Sequence, residues 1–189
     1  MKRVLILFLV AMLVLGVAGC TTRGEPEGVN QNPSPPPDSG QPKETTNDKI
    51  TVTLYFADTQ AMYVVPETRE ITLNDEEKQS QEKLVKRILE ELIAGPVSPS
   101  LHRTIPDGVT VNAVDIQGDI AYIDFSREMV ANHWGGAAGE AMTINSIVNT
   151  LTELEGINKV MMTVDGGTML IEHMVIEEPL ERNESMIKP

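Results

Sequence analysis

Three histidines, His102, His133 and His173, are the side chains best suited to hold a metal or carry a proton near neutral pH. They stand 31 and 40 positions apart, without the short spacings of HExxH or paired CxxC that bring ligands together locally. Only the fold could gather them, and isolated histidines are mostly surface or satisfied core residues. No metal and no cofactor is expected. Asp124, Glu128 and Glu140 lie near a glycine-rich loop, Trp134-Gly135-Gly136-Ala137-Ala138-Gly139, where two carboxylates could share acid and base work. In a chain with 28 acidic residues, carboxylates near any loop are expected by chance, so solvated charge beside turn glycines is the favoured reading. The loop matches neither GxGxxG nor GxxxxGK[ST], and the chain has no Gly-x-Ser-x-Gly elbow. Ser126 and Ser146 have no evident histidine partner. No catalytic residue is assigned, and the chain is read as no enzyme.

The single cysteine, Cys20, has a different chemistry. Met1-Lys2-Arg3 precedes an apolar run from Val4 to Val17 that is too short for a confident membrane span, which takes about 20 apolar residues. The run ends Val17-Ala18-Gly19-Cys20, which resembles the bacterial lipobox, where the cysteine is lipidated and becomes the new N-terminus. The competing reading is an ordinary cleaved signal peptide or short anchor. A lone cysteine forms no internal disulfide, so acylation explains it better than folding does. Residues 1–19 are thus expected to be a lipoprotein signal peptide, with the mature protein lipid-anchored to the outer face of the cytoplasmic membrane.

Residues 20–47 join the lipid-attachment cysteine to a tract of Pro, Gly, Gln, Asn, Thr and charge, including Pro33-Ser34-Pro35-Pro36-Pro37. With almost nothing apolar to bury, it is expected to be a disordered linker. Loss of residues 1–19 leaves 13 basic against 28 acidic residues, a formal charge of −15. That balance, with only three Phe, three Tyr and one Trp, argues against nucleic acid as a partner.

Residues 48–180 must supply whatever positions these side chains. Ile50 to Phe56 alternates in the manner of a half-buried strand, and Met62–Val65 and Glu70–Leu73 read as two short strands separated by Pro66. Asn74 with Glu77 forms a capping box ahead of a helix whose apolar stripe runs from Leu84 to Ile93 and stops at Gly95-Pro96. Val109–Asp124 reads as a hairpin around Gly118-Asp119, with a bulge or a change of face near Asn112-Ala113. A second helix is expected over about 139–155, followed by strands at Lys159–Val164 and Leu170–Ile176. The order βββ-α-ββ-α-ββ implies an α+β domain, two helices packed on a largely antiparallel sheet. Residues 181–189 are expected to form a flexible tail.

On the second helix the positions read as outward include Asn145, Ser146, Asn149 and Thr150, nearly free of charge in a very acidic chain. A neutral, hydrogen-bonding face suits a protein or wall-polymer interface. It equally suits a face covered by the domain's own loops. Trp134, Gly135 and Gly136 form a second candidate, a ligand loop whose indole could stack on a sugar.

Several stretches together resemble the GerMN family of spore-germination and envelope lipoproteins. They are VTLYFAD at 52–58, VPETREI at 65–71, LEELIAGP at 89–96, IPDGVTV at 105–111, AYIDFSRE at 121–128, and INSIVNTLTELEGINKV at 144–160 followed by VDG. GerMN domains are similar to the ring-building modules of secretion and sporulation channels. The resemblance therefore implies a non-enzymatic, membrane-tethered assembly module in sporulation or germination, bound to envelope or sporulation proteins or to itself. The alternative is an extracytoplasmic module that binds a solute or a cell-wall polymer.

Overall fold

The computed structural model describes residues 48–189; the segments expected to be a signal peptide and a linker, with Cys20, lie outside the described residues. Two strands, β1 (Asp48–Ala57) and β2 (Val64–Leu73), pair antiparallel along their whole length. The two short strands expected around Pro66 are this one strand. Pro66 lies opposite Tyr55, and Tyr55 directs its own backbone N–H and C=O away from β2, so the missing proline N–H breaks no ladder bond at that pair. Leu54 and Phe56 point inward and are fully buried.

The first expected helix is two. Asn74 caps α1 (Asp75–Gln79) through the capping box with Glu77. Ser80 then leaves helical geometry and caps α2 (Gln81–Ala94) by accepting from the Lys83 N–H. The apolar stripe of α2 buries Val85, Ile88, Leu89 and Leu92 against β1 and the strands that follow, and Gly95, with φ of 91°, ends it.

Next come β3 (Val111–Gln117), β4 (Ile120–Phe125), the short α3 (Glu128–Ala131) and α4 (Ala137–Leu151). The bulge falls between Val111 and Ala113. The chain closes with β5 (Lys159–Val164), β6 (Gly167–Ile171), β7 (Met174–Ile176), β8 (Leu180–Glu181) and a 3-10 turn at Glu184–Met186. The second sheet runs β3-β4-β5-β6-β7, with β8 also on β5. Its pairs are antiparallel except β4 with β5, which the long crossover through α3 and α4 makes parallel. The expected strand Leu170–Ile176 is instead a hairpin, because the polar pair Glu172-His173 turns the chain between Ile171 and Met174.

Both long helices share one core between the β1–β2 hairpin and the larger sheet, centred on Phe56, Phe125, Leu89 and Leu151. The domain is α+β, as the element order implies. The segment 181–189, expected to be flexible, is docked. Asn183 exchanges two hydrogen bonds with the Asn149 side chain, Arg182 reaches Tyr55 Oη at 2.8 Å and Glu153 at 2.8 Å, and the Lys188 N–H donates to Val64 O at 2.9 Å. Its polar composition hid this, because the partners are backbone groups and charges of distant elements.

Candidate functional site

The face expected to meet a partner is internal. Asn145 is 9% exposed, Ser146 and Asn149 are fully buried, and Thr150 is 1% exposed. The physical reason is the outer edge of β1. Tyr55 donates its N–H to Thr150 Oγ1 at 3.0 Å, and its carbonyl accepts from Ser146 Oγ. With the Ser146 proton committed there, the Thr104 hydroxyl donates to Ser146 Oγ at 2.6 Å. Two residues on, Ala57 exchanges backbone bonds with His102. Asn149 holds Asn183, and Asn145 turns back onto Ala141 O. Covering by the domain's own elements is the reading that holds.

The Trp134 loop is at the surface. Trp134 is 52% exposed, and its ring stacks on His133 with centroids 5.1 Å apart. The indole also lies so close to Gly139 that a Cβ there would come within 2.6 Å of Nε1. The Nε1 and Cδ1 atoms of the ring thus rest on the start of α4. It borders a pocket of about 160 Å³ shared with Asp58, His102, Arg103 and Met142. His133 is fixed beneath it. Gly135 N–H donates to Nδ1 at 3.1 Å, so Nε2 carries the proton toward Thr143 Oγ1 at 3.0 Å, whose own hydroxyl donates to Thr104 O. Burial pushes this imidazole below its ordinary pKa, against the pull of Glu140 and Glu172.

Gly135 and Gly136, with φ of 74° and 82°, press against the β6–β7 turn. Gly136 N–H donates to Glu172 Oε2 at 3.3 Å, and a Cβ on Gly135 would strike that carboxylate at 3.0 Å. Beside it Glu140, with its side chain fully buried, accepts from His173 Nδ1 at 2.9 Å and from His173 N–H at 3.1 Å. The hydrogen bond from His173 holds the Glu140 carboxyl below its usual range and raises His173 in return.

The other sequence candidates are kept apart. Asp124 ties the β5–β6 turn through Thr163 and Gly166, each at 2.7 Å. Burial would raise its carboxyl, but these bonds and that of Asn112 outweigh it. The Glu128 carboxyl is lowered chiefly by Ser126. The three carboxylates therefore serve three separate hydrogen-bond sets, and the three histidines likewise have different partners: Ala57 backbone, Thr143 and Glu140. Glu172 was missing from the sequence candidates. Its signal is the polar Glu172-His173 pair between two apolar triplets, Met169-Leu170-Ile171 and Met174-Val175-Ile176.

Among the described residues, no helix is long and apolar enough to cross a membrane. The outer surface of the larger sheet carries a cross-strand apolar pair, Leu170 at 53% and Val175 at 51% exposure, with Val130 of α3 beside Leu170.

Residues 53–169 match the profile of the Germane family, described as sporulation and spore germination. The fold is similar to the first GerMN domain of the sporulation protein GerM from Bacillus subtilis, at 28% identity and TM-score 0.57, covering 70% of this chain and 98% of that one. It is also similar to the tandem GerMN domains of the same Bacillus subtilis protein, at 22% identity and TM-score 0.58. There 81% of this chain is covered and 51% of the tandem, so the chain spans about half of that structure's length. No curated protein matches the chain.

Proposed function

Because the chain belongs to the Germane family, of sporulation and spore germination, we propose that it is a non-enzymatic envelope lipoprotein whose single GerMN domain joins protein partners in that process. The observation that carries this is the extent of the family match, 53–169, which runs from β1 into β6 and takes in the shared core. Cys20 anchors the chain to the outer face of the cytoplasmic membrane, and residues 20–47 let the domain stand off from it. Two lipid chains hold such an anchor stably where one gives only marginal binding.

Fractionation of cells producing Cys20→Ala tests the anchor: the variant is expected in the soluble extracytoplasmic fraction, and full retention in the membrane would overturn lipidation. Cross-linking in intact sporulating cells, with Cys20→Ala as the untethered control, tests the assembly role. Capture of this chain itself or of envelope proteins above that control supports it; equal recovery in both argues against it.

A second reading, a module that binds a wall polymer, is favoured by one observation. Trp134 is 52% exposed at a pocket that polar Asp58 and Arg103 also line, a combination suited to a sugar. Trp134 is the only tryptophan, so its fluorescence reports this loop alone. A saturable change on titration with muropeptides supports this reading, and a flat response removes it.

A further inference from the structure

We propose that Glu140, Glu172 and His173 form a binding site for a divalent transition-metal ion, with Zn²⁺ the best match, joining the start of α4 to the β6–β7 turn. The site is independent of the family reading. The imidazole Nδ1 and one oxygen from each carboxylate lie within 4.8 Å of one another. Nδ1 stands 2.9 Å from Glu140 Oε1 and 3.8 Å from Glu172 Oε2. Ligands of a tetrahedral zinc, at roughly 2.0–2.2 Å from the metal, are separated by about 3.4 Å, so a small shift of the exposed Glu172 and His173 side chains, with release of the Nδ1 proton, brings three donors to the metal.

Charge argues in the same direction. Glu140 is fully buried, and its partners are the two N–H groups of His173, a residue exposed to water; no Lys or Arg reaches its carboxylate among the described residues. A carboxylate out of water needs a counter-charge; a protonated His173 supplies one, and the neighbouring second carboxylate, Glu172, leaves the set one positive charge short. The remaining nearby imidazole, His133, has both ring nitrogens engaged by Gly135 and Thr143. Two carboxylates and one neutral imidazole around a divalent ion give a neutral set, whereas without it the site holds an excess of negative charge.

Placement fits a three-ligand site. Glu172 and His173 are adjacent on a two-residue turn, and Glu140 is on the first turns of a helix packed in the core. Gly136 N–H bonds the Glu172 oxygen that faces His173 and orients it, as outer-shell donors do for ligating carboxylates. Glu172 and His173 both stay 62% exposed, which leaves the fourth position to water or to an incoming ligand.

The test uses the untagged full-length chain in detergent, carrying Cys20→Ala so that the thiol takes no ion, stripped with EDTA and titrated with ZnCl₂ by calorimetry and by thermal unfolding. One Zn²⁺ per chain and a rise in Tm are expected. Glu172→Gln changes only an exposed side chain and folds without metal; His173→Ala also removes one of the two donors to buried Glu140, so the metal-free Tm of each variant is the baseline for its titration. Each is expected to weaken Zn²⁺ binding at least tenfold and to abolish the Tm rise. No stoichiometric uptake by the parent chain, or uptake with equal affinity in both variants, would overturn the site.

Discussion

A serine or threonine inside a helix commonly turns its hydroxyl back onto the carbonyl one turn earlier, as Thr152 does onto Val148 O at 2.8 Å. Ser146 and Thr150 instead reach across to one residue of β1, 91 and 95 positions away, and satisfy its carbonyl and its N–H. In a sheet those groups belong to a neighbouring strand; here helix hydroxyls take that role at an edge buried in the domain. Removing either hydroxyl leaves a buried backbone group without a partner, which costs about 1–3 kcal/mol. Ser146→Ala and Thr150→Val are each expected to lower unfolding free energy by that amount in urea denaturation. Ser146→Lys, which places a charge in the same fully buried position, is expected to prevent folding. That this face is polar yet uncharged was legible in the sequence. Its partner was not, because periodicity reports which way a residue points along its own helix and nothing about the strand laid over it.

Single-element features were the most readable. The Asn74–Glu77 box, the Gly95 stop and the bulge beside Asn112 are set within a few residues, and each is where the sequence puts it. The Ser80 break was not read, since residues 75–83 hold no apolar side chain whose spacing could mark a change of phase. The end of α2 shows what local signals omit. Its terminal carbonyls, Glu91 O and Gly95 O, accept from Arg69 of β2 at 3.1 and 2.9 Å, and the same guanidinium pairs with Glu91 and Glu67. Glu67 in turn accepts from the N–H groups of Val97 and Ser98. One arginine thereby fastens strand, helix end and following loop. Arg69→Met is expected to cost about 3 kcal/mol, since it strands two half-buried carboxylates, with Tm as the readout. Burial would raise the carboxyls of Glu67 and Glu91, but their hydrogen bonds and Arg69 outweigh it and hold both below the ordinary value of 4.5. A group depressed in the folded state stabilises above its unfolded pKa, and that contribution disappears as pH falls through the folded pKa. Stability is therefore expected to drop below about pH 4.5, with a shallower drop in Glu67→Gln, measured as urea midpoints between pH 6 and pH 3.

For the whole molecule, the internal use of the α4 face changes where a partner can dock. The polar groups that suggested an interface are consumed by β1 and by the docked segment 182–189. The outer surface of the larger sheet differs: Leu170 and Val175 sit directly across from each other on β6 and β7, each about half exposed, with Val130 adjoining. In a chain of net charge −13 such a pair leaves apolar area in water that burial against a partner would recover. The core lies on the opposite side of the sheet, where Met169, Ile171 and Ile176 are buried. Surface substitutions away from such packing usually stay within about 0.5 kcal/mol. Leu170→Thr with Val175→Thr, polar but uncharged and suited to strands, is therefore expected to leave Tm nearly unchanged while cross-linked capture of partners in cells falls severalfold. Undiminished capture by the double variant would move the contact elsewhere on the domain, and a large fall in Tm would show that the pair supports the fold instead.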